Sequence, residues 1–271
     1  ERHLVSAEHA HAEHARGVAF NGDGTVSVMV NEEDHLRLQV FAPGMDLDAL
    51  EERVTGLDQA IGRNVTYSFN PTHGYLTSCP TNTGTGLRVS VMLHLPALAF
   101  KSEDGRSVEQ GIMKVHNAAQ QLGLAVRGMH GESSRAEGDF FQISNQVTLG
   151  RTPRQAVEDL QSALPQVIDF ERNMRDILWK DDRSRVEDTV WRAWAILTHA
   201  RRITSAEGLS HLSSLRLGAC LGIIEDVPVT AIHELMVVMR PGHLQHRVGR
   251  ELSPGDRDVV RADLIRDTLG S

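Results

Sequence analysis

Val30-Asn31-Glu32-Glu33-Asp34-His35-Leu36-Arg37 sets three carboxylates in a row and follows them with a two-residue alternation. His35, Arg37 and Gln39 fall on one side of it, and Leu36, Leu38 and Val40 on the other. That is the period of a half-buried strand. Upstream, Thr25-Val26-Ser27-Val28-Met29-Val30 alternates in the same way after the turn signal Asn21-Gly22-Asp23-Gly24. The two runs predict a hairpin with acids at its turn and Arg37 on the polar face of the outgoing strand. Read alone, the stretch is an acidic turn feeding an amphipathic strand. Complementary chemistry elsewhere in the chain gives it more to do.

Moving outward, Leu50, Val54, Leu57 and Ile61 mark a helix over 47–61. Val89, Val91 and Leu93 oppose Arg88, Ser90 and Met92 in a strand, and a helix is expected over 107–121. Leu122, Leu124 and Val126 then oppose Ala125 and Arg127, and a further strand is expected at Phe140 to Gln146. Arg37, Arg88 and Arg127 thus give one arginine per strand. If the strands share a sheet, one face packs on helices and the other is basic. The second half is helical in pattern, over 153–174 with Pro153 in the first turn, 186–203, 205–215 and 229–239, the last closed by Pro241-Gly242. Ser253 ahead of Pro254 caps a terminal helix. The fold class expected is α+β, an antiparallel sheet with helices packed on one face, followed by a helical C-terminal part. The expected domains are 1–175 and 176–271.

The 271 residues can bury a substantial core, and 40% hydrophobic with 24% charged residues excludes wholesale disorder. A formal net charge of -8 without a Lys/Arg block argues against nucleic acid and anionic membrane as partners. The longest apolar stretch, 89–100, is broken by His94 and Pro96 and is too short for a bilayer. Two cysteines far apart, Cys79 and Cys220, form no disulfide framework and suit a reducing cytoplasm. His9, His11 and His14 in the Ala-rich opening lack companion ligands, so a solvated surface segment is expected there.

Four ordered motifs carry a family resemblance. Asn31-Glu32-Glu33-Asp34-His35-Leu36-Arg37 resembles the acidic motif of the ATP:guanidino phosphotransferases. Cys79-Pro80-Thr81-Asn82-Thr83-Gly84-Thr85 resembles that family's cysteine signature, with Arg88 where its nucleotide-binding arginine stands. Arg127-Gly128-Met129-His130-Gly131-Glu132 resembles the third motif, and Gln142-Ile143-Ser144-Asn145 the segment beyond it. Glu132 matches the arginine-directed members. The long helical extension, with Arg257-Asp258-Val259-Val260-Arg261-Ala262 in its terminal helix, is similar to that of the bacterial protein-arginine kinase branch.

The resemblance implies transfer of the γ-phosphoryl of Mg-ATP to arginine side chains of proteins. A guanidinium is a cation with its proton firmly held, so its nitrogen attacks only once oriented and deprotonated. The resemblance implies that Glu33 and Glu132 clamp it, Glu33 taking the proton, with Cys79 beside it as a thiolate. It implies ATP contacts from His3, Arg37, Arg88, Val89, Ser90, Val91, Met92, Arg127, Gly128, Met129, His130, Gly131 and Glu132. Mg²⁺ would be held through the ATP phosphates, with Glu32 or Asp34 reaching its waters. No Gly-Lys-Ser/Thr follows Gly84 and Gly86, so the loop is no P-loop. Residues 257–262 are implied to bind phosphoarginine as an allosteric ligand, Arg257 and Arg261 sharing one helical face. The partners implied are arginine-containing protein substrates and a second copy of the chain. The family's upstream Ser-Ser-Arg-x-Arg segment has no counterpart in these residues, so a catalytic domain lacking its N-terminal region is expected. A catalytically impaired phosphoarginine-binding module and a kinase of free arginine stand as the alternatives. The intact Glu33 and Glu132 pair argues against the first and the long extension against the second.

Overall fold

The computed structural model describes residues 3–11, 13–100, 106–128 and 137–270. A short helix, α1 (Ala7–His11), precedes the antiparallel meander β1 (Gly17–Phe20), β2 (Val26–Val30) and β3 (Leu36–Val40). The Asn21–Gly24 turn joins β1 to β2, with the Asp23 carboxylate accepting the Thr25 N–H at 2.9 Å. One face of the meander, Ser27 and Met29 with Arg37 and Gln39 opposite, lies under residues 3–11. Ser27 donates to Leu4 O, Gln39 Nε2 donates to His3 O at 3.1 Å, and His9, 4% exposed, bonds Gly17 O. Of the expected solvated segment, Glu8, Ala10, His11 and residues 13–15 are exposed, while His9 is buried against β1. The alternation puts Ser27 and Gln39 where they meet the backbone carbonyls of Leu4 and His3.

Helix α2 (Leu47–Gly62), capped by Asp46, packs against β3. The turn-rich stretch that follows holds a two-stranded ribbon, β4 (Phe69–Asn70) and β5 (Gly74–Tyr75), and a 3-10 turn at Pro80–Asn82. A second three-stranded antiparallel sheet is ordered β6-β8-β7, from β6 (Ser90–His94), β7 (Leu124–Gly128) and β8 (Phe140–Asn145), with α3 (Arg106–Gln121) between β6 and β7. Its register fixes two unlike faces. Val91, Ile143 and Leu124 point into a core with Val115 of α3 and Val157, Leu160 and Leu164 of α4 (Pro153–Asp181). Ser90, Met92, Gln142, Ser144 and Arg127 share the opposite face. The α+β class with helices packed on one sheet face is what the periodicities predict. The one shared sheet for the three arginines is corrected: Arg37 and Arg127 lie on separate sheets, and Arg88 precedes β6 by two residues.

Thr152 and Gln155 form a reciprocal capping box at the start of α4, with Pro153 at its first position. The helix runs through Pro165 to Asp181, past the expected end at 174. Beyond it lie α5 (Arg183–His199), α6 (Ser205–Cys220), α7 (Val229–Val238), α8 (Pro241–Val248) and α9 (Pro254–Leu269). Their core gathers Val190, Leu197, Leu209, Leu212, Leu235, Met239 and Ile265. Gly218 lets α6 approach α5, since a Cβ there would lie 2.4 Å from Val190 Cγ1. Pro241 opens α8 instead of only closing α7, because a first-turn proline lacks a donor the helix does not need there. None of the described helices is long and apolar enough to cross a membrane.

A buried polar chain joins the second sheet to the helical part. The Glu171 carboxylate of α4 accepts the N–H groups of Ala97 and Leu98 at 3.0 Å each. Arg216 of α6 donates to His94 Nδ1; since arginine only donates, His94 Nε2 carries the proton and donates to Ser213 Oγ at 2.8 Å. Ser213 in turn donates to Asp139. Burial, with the nearby Arg216, Arg175 and His233 charges, holds His94 down at about 2. In the unfolded chain it titrates near its ordinary 6.5. Above that pH both states are neutral and the full contribution is present; below it only the unfolded chain takes up the proton. Stability carried by His94 is therefore lost as pH falls, at about 1.4 kcal/mol per pH unit. His94→Gln, which can still accept from Arg216 and donate to Ser213, is expected to flatten the difference in urea midpoint between pH 7 and pH 5. Parallel slopes for the two proteins would refute this.

Candidate active site

The acidic turn is built by its own backbone. Asn31 adopts a left-handed conformation (φ 57°), which asparagine tolerates, and its N–H bonds His35 O at 2.9 Å. The three carboxylates then diverge. Glu32 turns inward, accepting from Ser6 Oγ at 2.7 Å, Arg37 Nη1 at 3.1 Å and the Glu33 N–H at 2.8 Å. Burial alone would raise its pKa. The Glu33 N–H, the Ser6 hydroxyl and the Arg37 guanidinium outweigh burial and hold it below the ordinary carboxylate value. Asp34 accepts the Ser78 N–H at 2.6 Å, and Glu33, exposed, accepts from the Asn82 side-chain amide at 3.3 Å.

Those last two bonds cross 44 and 49 residues and bring the acidic turn against the cysteine loop. Cys79 is half-buried at the entry to the 3-10 turn, its Sγ 2.9 Å from Thr81 Oγ1. The loop is stitched from behind. Gly84 exchanges both backbone bonds with Tyr75, and Thr148 Oγ1 donates to Thr81 O at 2.8 Å and Thr83 O at 2.7 Å. Gly84 must be glycine twice over: its φ is 116°, and a Cβ would lie 2.4 Å from Thr148 O.

The arginines are placed by three different devices. Arg37 is ion-paired to Glu32 at the hairpin mouth. Arg127 donates to Ser144 Oγ at 3.0 Å on the open face of β6-β8-β7, where Gln142 also bonds Ser90. Exposed Arg88 sits between Leu87 and Val89, both held by the Asn145 side chain. Val91 is in the core, Met92 is exposed on the open face, and Gly128 ends β7. His3 is placed over the meander through its carbonyl. Glu132, with Met129, His130 and Gly131, lies outside the described residues. Asn82, Ser144, Asn145 and Thr148 were missed as site-building residues; three of them stood inside the quoted motifs, but no local pattern assigns an amide its partner across the chain. Among the described residues, no three His, Cys, Asp or Glu gather as a metal cage.

The terminal-helix motif is placed differently from expectation. Arg261 is 1% exposed and donates to Met239 O, Ile203 O and Asp258 Oδ1, each at 2.8 Å. Burial pulls its pKa below the ordinary arginine value, against the opposing effect of Asp258. Half-buried Arg257 donates to Leu252 O, Ala262 is in the core, Val260 packs beside it and Val259 is exposed. The two arginines do not present one shared open face. A pocket of about 270 Å³ opens beside Asp258, lined also by Arg202, Ile203, Thr204 and Glu207.

A hairpin of carboxylates is thus docked on a cysteine loop, and Arg127 stands on the open face of a separate sheet. Residues 1–174 match the family described as ATP:guanido phosphotransferase, C-terminal catalytic domain, and the chain belongs to that family. Residues 183–271 match the protein-arginine kinase McsB C-terminal domain. The chain is 45% identical over 269 residues to the protein-arginine kinase of Halothermothrix orenii, covering 99% of this chain and 75% of that one. It is 43% identical over 269 residues to that of Bacillus subtilis, covering 99% and 72%. Among solved structures, a lombricine kinase is similar at 33% identity and a TM-score of 0.48, over 58% of this chain and 42% of its own.

Proposed function

We propose that the chain is a protein-arginine kinase, transferring the γ-phosphoryl of Mg-ATP to arginine side chains of proteins. The observation that carries the reading is the pair of contacts Glu33–Asn82 and Asp34–Ser78, which bring the exposed Glu33 carboxylate to the loop that carries Cys79. Glu33 takes a proton from the bound guanidinium, and Cys79 borders the same cation. Glu132 is assigned to the guanidinium's other side from its motif. Arg37, Arg88 and Arg127 offer the cations that a loose, charge-dispersed phosphoryl transfer needs around its equatorial oxygens. Mg²⁺ bound to the ATP phosphates would neutralise charge there, and Glu32 or Asp34 would be the residues to reach its waters. Transfer needs positioning more than covalent chemistry, so the docking of turn on loop is the catalytic contribution of the fold.

The pocket at Arg202, Glu207 and Asp258 is complementary to phosphoarginine, with a cation for the phosphate and carboxylates for the guanidinium. Residues 257–262 form part of its wall through Asp258. A dimer of two such chains in the cytoplasm, acting on proteins, completes the reading by relationship to the protein-arginine kinases.

The test is incubation with Mg-ATP and an arginine-rich protein, followed by phosphorus NMR at neutral pH. An acid-labile phosphoarginine signal is expected. Phosphate appearing only on free arginine, or on serine, would overturn the reading.

A further inference from the structure

The β6-β8 ladder ends at the Ser90–Ser144 pair, yet the chain on the β6 side stays paired for two more residues. Asn145 does this. Its backbone N–H bonds Val89 O at 3.2 Å, its Oδ1 accepts the Val89 N–H at 2.8 Å, and its Nδ2 donates to Leu87 O at 3.1 Å. A side-chain amide thus imitates a strand on both sides of Arg88, leaving that guanidinium's anchor fixed while the residue itself is exposed. The same amide reaches Val147 O at 3.4 Å, and the next residue, Thr148, holds the carbonyls of Thr81 and Thr83 in the cysteine loop and accepts the Thr85 N–H. Asn145 is 5% and Thr148 8% exposed, so neither faces a ligand.

We propose that Asn145 and Thr148 are two positioning residues on one four-residue brace, Asn145 setting the phosphate-side Arg88 and Thr148 setting the guanidinium-side Cys79 loop. The brace makes the distance between the two halves of the site a property of the turn after β8. A displacement near 1 Å between such halves costs on the order of 10²-fold in rate, which is why a rigid common support matters. This inference rests on the proposed kinase reading for its nucleotide half only.

The experiment uses the whole chain in a Cys220→Ser background, leaving Cys79 as the sole thiol. Calorimetry reads Mg-ATP affinity, iodoacetamide reads the Cys79 alkylation rate, and thermal melting confirms folding. Asn145→Ala is expected to weaken Mg-ATP about tenfold and leave alkylation near the parent rate, because two half-buried backbone groups beside Arg88 lose their partner. Thr148→Val is expected to change alkylation at least about threefold with Mg-ATP affinity kept, and Thr148→Ser, which retains the hydroxyl, to restore it. A folded Asn145→Ala that binds Mg-ATP like its parent, or a Thr148→Val indistinguishable from Thr148→Ser, overturns the assignment. So do variants that alter both readouts together, which is what mere loosening of the fold produces. Should the parent itself bind no nucleotide, the kinase reading falls with the Asn145 half, while alkylation still decides Thr148.

Discussion

Glu33→Gln lowers the rate of phosphoryl transfer to arginine by roughly 10²–10⁴-fold, the range over which a positioned general base acts. The substitution is isosteric, and Glu33 is exposed with a single amide contact from Asn82 at 3.3 Å, so stability should stay within about 0.5 kcal/mol of the parent. On the proposed reading it removes the negative charge that would face the guanidinium and the one function a glutamine does not imitate, accepting a proton. Glu32 does not substitute for it. That carboxylate is tied to Ser6, Arg37 and the Glu33 N–H, which against its burial hold its pKa below the ordinary carboxylate value. Initial rates of phosphoarginine formation, with thermal melts of both proteins alongside, check the result. A Glu33→Gln protein as fast as its parent would move the base to another residue.

The hairpin, the caps and the two-faced strands were legible because their signals are local. Alternation at 26–30 and 36–40, Pro153 in a first turn, and Ser253 before Pro254 each need only neighbours within a turn. What escaped was decided across the chain. The stretch around His9 read as solvated and most of it is exposed, but His9 itself meets the edge of β1, and Ser6 before it meets Glu32 26 residues away. Arg88 read as a strand residue because Arg88, Ser90 and Met92 alternate. The ladder stops at Ser90, and a side chain from β8 replaces it. At the site, the residue types announced guanidino chemistry, but the link from Glu33 to Asn82 depends on how two loops dock. Pro241-Gly242 was ambiguous in principle, since the same dipeptide ends one helix and begins the next.

Arg261→Ala is expected to destabilise the helical part by about 3–5 kcal/mol, the cost of breaking a buried, hydrogen-bonded ion pair from one side. The guanidinium ties three segments together: Met239 at the end of α7, Ile203 ahead of α6, and Asp258 on its own helix. Its loss leaves two buried carbonyls unpartnered and a carboxylate without its cation. Arg261→Lys should recover little, because one ammonium on a flexible stem does not reproduce a planar fork aimed at three acceptors. Arg257→Ala, which forfeits one bond from a half-buried side chain to Leu252 O, should cost about 1 kcal/mol. Urea unfolding followed by the fluorescence of Trp179 and Trp194, which pack against that core, measures all three. Equal midpoints for Arg257→Ala and Arg261→Ala would sink the argument. The ordering also decides how a test of the proposed phosphoarginine binding is to be read. Ligand lost in Arg261→Ala follows from a wall of the pocket coming apart, since Asp258 and Ile203 line it. Ligand lost in Arg202→Ala, at unchanged midpoint, would instead report a direct grip on the phosphate.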